Sequence, residues 1–390
     1  MTETNVVRCG IIGAGIMGAI HAEFLAKQDN AEVVAVADLR REVAEKVAAA
    51  AGGVAYTDYQ EMLAREQLDL VMLATPDSVH REPAVACCQA GVPNLVIQKP
   101  LTTTVEDGAA ITDAAETARA RVFMWYGNRG YVADMATKYA ITSGMIGRVI
   151  YGDIDTDDNI SVPLALWGER SQEWVAESSP AQFLTSHSVD RLMWYFGSAR
   201  VEQVLAIEQR EILKHTPDLI DAFLIFDTGL KVRVKSGWVH QIERLVESAE
   251  VFNGTNGQII NLRHPRFGVT AGWRVNVGGQ PAFEELARHQ QVLRERGLST
   301  RIIWHEPRES PWSPGSTMGL DLVAGDAPNR ELLEFILDAI IEDTVEPQSW
   351  KAWQGDGPLP MGDVALENVR VIEAIHQAAR TSLPVSIPPA

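Results

Sequence analysis

Cysteine is scarce in this chain, with three residues among 390, at Cys9, Cys87 and Cys88. Two of them are neighbours on a predicted helix, where a mutual bridge is geometrically poor. Neither a disulfide framework nor a metal-ligand spacing can be built from the set. Basic residues are also short: 34 Lys and Arg stand against 52 Asp and Glu, a formal net charge of −18. A surface of that sign repels phosphate backbones and anionic headgroups, which excludes nucleic acid and membrane as main partners. No apolar run approaches a membrane span in length, and the opening MTETNVVRCG lacks the basic and apolar regions of a secretory signal, so a cytoplasmic location is expected. Internal repeats, low-complexity tracts and P-loop, zinc-ligand or serine-triad spacings are missing as well. What remains is a globular chain, 46% hydrophobic and 22% charged, too long for one typical core, and two domains are the expectation.

The most informative stretch is RCGIIGAGIMG, residues 8–18. An apolar strand pattern runs directly into Gly13, Gly15 and Gly18, a helical pattern follows, and the run VVAVAD ends in Asp38, 20 positions after Gly18. Gly13 allows a tight turn, Gly15 lets backbone N–H groups approach a pyrophosphate, and Gly18 lets the helix lie against the strand. A pyrophosphate sits well on the positive helix start, with Ile16 and Met17 in its first turn. Asp38 accepts hydrogen bonds from adenosine ribose hydroxyls and repels a 2′-phosphate, which favours NAD over NADP; Arg40 and Arg41 soften that preference.

Strand and helix patterns then alternate. Helical runs at 41–51, 59–66, 83–90 and 106–118 separate apolar strands at 70–76, 95–100 and 122–126, which spells a doubly wound parallel sheet. Such sheets bind ligands beyond the carboxyl ends of their strands, which singles out Asp38, Thr75, Pro76, Gln98, Lys99 and Asn128. After a helix at 131–143 the pattern becomes strand-rich, with hairpin signals at 227–229 and 253–257 and one helical stretch, 183–196, carrying His187 and Asp190. The expected organisation is a Rossmann α/β domain over residues 1–127 and an α+β domain with a mostly antiparallel, open-faced sheet over residues 128–390. Within the latter, 278–325 reads as an irregular insertion, a lid or a subunit contact, and two amphipathic helices, 331–342 and 364–380, close the chain.

Four segments in order, GIIGAGIMGAIHAEFL, LATPDSVH, IQKP and SHSVDRLMWYFG, resemble the Gfo/Idh/MocA family, the relatives of glucose-fructose oxidoreductase and inositol dehydrogenase. The closing ALENVRVIEAIHQAARTSLPV resembles the family's usual ending. The resemblance implies a nicotinamide cofactor between two domains and a sugar, sugar derivative or cyclitol as substrate. It also implies chemistry carried by a Glu-Lys-Pro strand end and an Asp-x-x-x-His helix. Here the strand end reads Gln98, Lys99, Pro100, so the lysine is kept and the glutamate has become its amide. His187 matches the family histidine, but Phe183 stands where the aspartate is usual.

Hydride transfer from an alcohol carbon needs a group that takes the hydroxyl proton and one that steadies the alkoxide. Lys99 and His187 are the candidates, with Lys99 also holding substrate. Asp190, three residues on, either orients the imidazole, binds substrate, or pairs with Arg191 or another arginine. Asn128 and Arg129 match positions where relatives contact substrate, and Arg129 either grips it or is solvated. Trp167 and Arg170 border the implied pocket, although a buried domain seam is the more common explanation for the tryptophan. His80 resembles a residue on the nicotinamide side and, alternatively, a helix-start histidine in contact with backbone. With Gln98 and Thr75 it completes the cofactor set, and no metal is expected. The leading expectation is an NAD-dependent oxidoreductase acting on a secondary hydroxyl of a sugar, glycoside or cyclitol. The alternative is a redox-neutral, NAD-dependent glycoside hydrolase that oxidises a ring carbon transiently, a reading prompted by Phe183; a non-catalytic cofactor-bound module comes third. A homodimer or homotetramer through the open sheet face is the expected assembly.

Overall fold

The computed structural model describes residues 6–166, 168, 171–264, 271–279, 281–305, 317–322 and 329–389, and these divide into two compact units. The first comprises Met1–Tyr126, Glu331–Lys351 and Asp356–Arg370. Its strands β1 (Val7–Ile12), β2 (Ala31–Ala37), β3 (Val54–Tyr56), β4 (Leu70–Leu73), β5 (Asn94–Gln98) and β6 (Arg121–Trp125) form a parallel sheet in the order β3-β2-β1-β4-β5-β6. Helices α1 (Ile16–Leu25), α2 (Arg41–Ala51), α3 (Tyr59–Arg65), α4 (Arg81–Gln89) and α5 (Val105–Ala118) connect them. Residues 70–73 and 95–97 are fully buried, as expected for strands covered on both faces. Strand order reverses between β1 and β4, and at such a switch point the connecting loops part and open a crevice. All three cysteines are buried here, Cys9 in β1 and Cys87 and Cys88 in α4.

The chain returns to this unit later than the sequence boundary at 127 suggested. A helix at Leu332–Ile341 buries Leu332, Phe335 and Ile336, and Trp350 meets the Phe335 ring edge-on at 5.1 Å. The first half of the last long helix, Gly362–Thr381, also belongs here.

The second unit comprises Gly127–Arg330, Ala352–Gly355 and Val371–Ala390. Its helices are α6 (Val132–Thr142), α7 (Ser161–Ala165), α8 (Ser171–Glu177), α9 (Ser186–Phe196) and α10 (Phe283–Glu295). The strands are β7 (Val149–Asn159), β8 (Val201–Gln209), β9 (Leu219–Phe226), β10 (Lys231–His240), β11 (Val246–Gly254), β12 (Gly257–Leu262), β13 (Gly272–Val277), β14 (Thr300–His305), β15 (Thr317–Leu322) and β16 (Val385–Ser386). Among the described residues they make one ten-stranded sheet, β14-β15-β13-β12-β11-β7-β10-β9-β8-β16, in which only β7 and β10 run parallel. One face is dry: Ile154, Val232, Val234, Leu224, Phe252, Ile259 and Val275 are at most 1% exposed, and α9 lays Tyr195 and Phe196 against Phe252 with ring centroids 5.9 Å apart. The opposite face carries Leu205, Ile207 and Phe223 at 38, 62 and 43% exposure.

Three expectations need correction. Residues 278–325 are not an irregular insertion: β15 pairs with β13 and β14 with β15, so the segment extends the sheet. Its stretches 306–316 and 323–328 lie outside the described residues, as do Trp167 and Arg170. Between β7 and β8 there is more than one helix, since α7 and α8 precede α9. The helix expected at 183–196 begins instead with a π-helical turn, Ala181–Thr185, whose wider winding precedes regular α9. No described helix is long and apolar enough to cross a membrane.

Candidate cofactor and active site

Gly13 follows β1 with φ +89°, and a Cβ there would lie 2.7 Å from the Ala74 carbonyl. That contact brings the loop after β1 against the loop after β4, which no side chain at 13 would permit. At Gly18 a Cβ would sit 1.9 Å from the Gly13 carbonyl oxygen, so α1 can start over this turn only without one. Gly15 faces open space, with nothing within 4 Å of its ideal Cβ. The turn thus leaves room in front of the α1 N-terminus, whose unpaired N–H groups attract an anion.

Asp38, just past β2, is oriented by this turn. Its Oδ2 accepts a hydrogen bond from Ala14 N at 2.9 Å, and Oδ1 accepts from Arg40 N at 3.0 Å and Arg40 Nε at 3.3 Å. Arg40 is therefore drawn to the carboxylate, while Arg41 pairs with Glu45 on α2. Beyond β4, the Thr75 hydroxyl is buried with no protein partner among the described residues. A buried hydroxyl in that condition fits a site that receives a polar ligand. The glycine turn, the oriented Asp38 and this hydroxyl at the switch point together suit a dinucleotide.

His80 is 1% exposed and braces the two loops on either side of the β4 and β5 ends. Its Nε2 lies 3.0 Å from the Thr75 carbonyl, and Nδ1 lies 3.1 and 3.0 Å from the Pro100 and Leu101 carbonyls. Of its two sequence readings, contact with backbone is the one the geometry displays. Lys99 is half-buried and follows Gln98 directly at the end of β5. Gln98 directs its amide nitrogen to His21 Nε2, 2.6 Å away. His21 was given no role in the sequence; the signal was an imidazole among the buried positions of α1, beside Gly18, Ala22 and Leu25.

In the second unit, half-buried His187 opens α9 between buried Ser186 and Ser188. The preceding π turn is pinned by Thr185 Oγ1 to Ser236 Oγ at 2.8 Å and by the Ser186 hydroxyl donating to the Gln182 carbonyl at 2.6 Å. Ser179 Oγ accepts from Gln182 N at 3.1 Å and meets His376 Nε2 at 2.9 Å. Phe183 lies in an aromatic cluster, its ring 4.9 Å from Trp174 and 6.0 Å from Trp238. The position where a carboxylate would be expected is thus filled by packing.

Arg129 and Asp190, both candidates for substrate contact, hold each other, the arginine pairing being one of the readings the sequence left open for Asp190. Arg129 Nε and Nη2 donate to the two Asp190 oxygens at 3.0 and 2.7 Å, and both side chains are at most 5% exposed. Burial pushes the Asp190 carboxyl up, and Arg129 only partly pulls it back. The Arg129 carbonyl accepts from Trp353 Nε1 at 3.0 Å. A second buried pair joins Arg191, on the same helix, to Glu250 on β11, and Asn261 joins Glu250 to Asp134, which pairs with Arg263 at 2.5 Å. Asn128 Oδ1 accepts from Arg263 at 3.4 Å. Asp190 therefore belongs to a buried charge network and not to an orienting pair with His187.

Residues 7–126 match an oxidoreductase family whose description is NAD-binding Rossmann fold. Those residues match the model of the Gfo/Idh/MocA family. Its sequence is 34% identical over 151 residues to the inositol 2-dehydrogenase of Rhodococcus erythropolis, covering 38% of this chain and 43% of that one. It is 30% identical over 234 residues to inositol 2-dehydrogenase 1 of Saccharopolyspora erythraea, covering 58 and 66% of the two chains. The matched part thus spans less than half of the first relative and about two thirds of the second. Among solved structures, levoglucosan dehydrogenase in complex with NADH superposes with a TM-score of 0.73 over 98% of this chain and all of that one at 19% identity, a likeness of fold. The Gfo/Idh/MocA match agrees with the glycine turn and the open parallel sheet that carries it.

Proposed function

We propose that the chain is an NAD-dependent oxidoreductase that interconverts a secondary hydroxyl of a sugar, glycoside or cyclitol and the matching ketone. The observation that carries this reading is the glycine turn with Asp38 fixed to it through Ala14 N–H, a ribose acceptor set beside an anion-ready helix start. Relatives named inositol 2-dehydrogenase support the substrate class. Gly13, Gly15, Ile16, Met17 and Gly18 hold the pyrophosphate, and Asp38, Thr75 and Pro76 hold the nucleosides, with NAD preferred to NADP. The nicotinamide supplies the hydride acceptor. Lys99 donates a hydrogen bond to the reacting oxygen and steadies negative charge on it; His187 takes the hydroxyl proton. With Phe183 in an aromatic cluster, no carboxylate at that position shares this proton work.

The same observation on Phe183 keeps a second reading in the test, the redox-neutral glycoside hydrolase. Purified protein is given inositols, free sugars and aryl glycosides with either stoichiometric or trace NAD. NADH accumulating with a cyclitol or sugar is the expected result. Free sugar released under trace NAD transfers the assignment to the hydrolase, and NAD binding without turnover across the panel leaves a cofactor-bound module. In the active case, Lys99→Ala and His187→Ala each lower kcat/KM on the order of 10²-fold or more while NAD still binds.

A further inference from the structure

Gln98 ends β5, is 6% exposed, and is followed at once by Lys99. His21 projects from α1, the helix that starts over the glycine turn, and is 2% exposed. The Gln98 amide nitrogen and His21 Nε2 are 2.6 Å apart, and the ring meets Trp125, the last residue of β6, edge-on at 5.0 Å. An amide nitrogen only donates, so His21 Nε2 must offer its lone pair and the ring hydrogen must sit on Nδ1. We propose that His21 is a positioning residue: in its Nδ1–H tautomer it accepts from Gln98, locks the end of β5 to α1, and so fixes Lys99 relative to the pyrophosphate end of the cofactor site.

The consequence for Lys99 rests on the proposed dehydrogenase reading; the tautomer does not. Burial lowers the imidazole to about 4, which keeps it neutral and the lock closed throughout the physiological range. The amide at 98 and this tautomer are matched. A carboxylate at that position, as the family resemblance would place there, only accepts and would demand the hydrogen on Nε2.

The test labels the histidines with ¹⁵N and reads the ring nitrogens at neutral pH, with His21 assigned by its loss in His21→Gln. The wild type is expected to show hydrogen on Nδ1 and an acceptor Nε2, and Gln98→Glu is expected to move a proton to Nε2. An Nε2–H tautomer in the wild type, or a ring unchanged in Gln98→Glu, overturns the lock. The second arm compares His21→Leu, which has no acceptor, with His21→Gln, which keeps one. His21→Leu is expected to lower kcat on the order of tenfold while NAD affinity stays within about threefold, and His21→Gln to recover most of the loss. An unchanged kcat in His21→Leu removes the positioning role. If that variant does not fold, the wild-type tautomer still decides. Should Lys99→Ala prove fully active while the tautomer is as expected, the reading of Lys99 fails and the lock stands.

Discussion

Asp38 shows how much one carboxylate can decide. It accepts from Ala14 N on one oxygen and from Arg40 on the other, so removing it frees an arginine beside the adenosine end of the site. Asp38→Ala is expected to weaken NAD by about 2 kcal/mol, roughly 30-fold, the value of hydrogen bonds to a charged acceptor. NADP is expected to gain relative to NAD, because Arg40 is then available to a 2′-phosphate; calorimetry with both cofactors checks the crossover. His21 carries a prediction about pH. Its native pKa lies below the usual 6.5, at about 4, so the folded protein binds fewer protons there than the unfolded chain. The stability tied to its neutral form is complete above pH 6.5 and is lost as pH falls to and through about 4, on the order of 3 kcal/mol. Denaturant unfolding between pH 7 and 4 is expected to show this slope, and His21→Gln to flatten it. At this scale the sequence was readable where covalent chemistry forces a choice, as at Gly13 and Gly18. It was opaque at Arg129 and Asp190, where partnership depends on two segments 61 residues apart coming together.

Helices and strands of the first unit lie within a few residues of their sequence-derived limits, because doubly wound sheets repeat one unit and each glycine or proline ends it locally. In the second unit, pairing of strands far apart in the chain decides more. β14 and β15 looked irregular in sequence since their only reason to be strands is the exposed edge of β13. The π turn before α9 was equally hidden: its winding is held by Ser236 on β10. The Arg129–Asp190 pair ties the 127–130 turn to α9, and its energetics are testable. Arg129→Met leaves the Asp190 charge buried without its partner and is expected to destabilise the protein by about 3–5 kcal/mol, whereas Arg129→Met with Asp190→Leu recovers much of that loss. Chemical denaturation of the two variants gives the comparison. A loss in the double variant as large as in the single one would mean that the pair contributes more than mutual neutralisation.

For the whole molecule, the open face of the ten-stranded sheet is the feature most in need of company. Leu205, Ile207 and Phe223 stand exposed on it, and its arginines are held in ion pairs: Arg233 reaches Asp153, Asp155 and Asp221 at 3.1, 3.2 and 2.8 Å, and Arg274 and Arg301 share Asp321. An exposed apolar cluster of this kind, flanked by ion pairs, is suited to meet a second copy of itself. Sedimentation is expected to find at least two chains per particle, and Ile207→Asp with Phe223→Asp to release single chains.

The three sealed cysteines give experimenters a reporter. Burial raises the Cys9 thiol to about 12 and pushes Cys87 and Cys88 upward too, so almost no thiolate exists at neutral pH and none of the sulfurs meets solvent. A colorimetric disulfide reagent should therefore leave the native protein untouched for as long as the Rossmann half stays shut. The rate at which colour develops would then time the opening of that half alone, and bound dinucleotide should slow it in proportion to its occupancy.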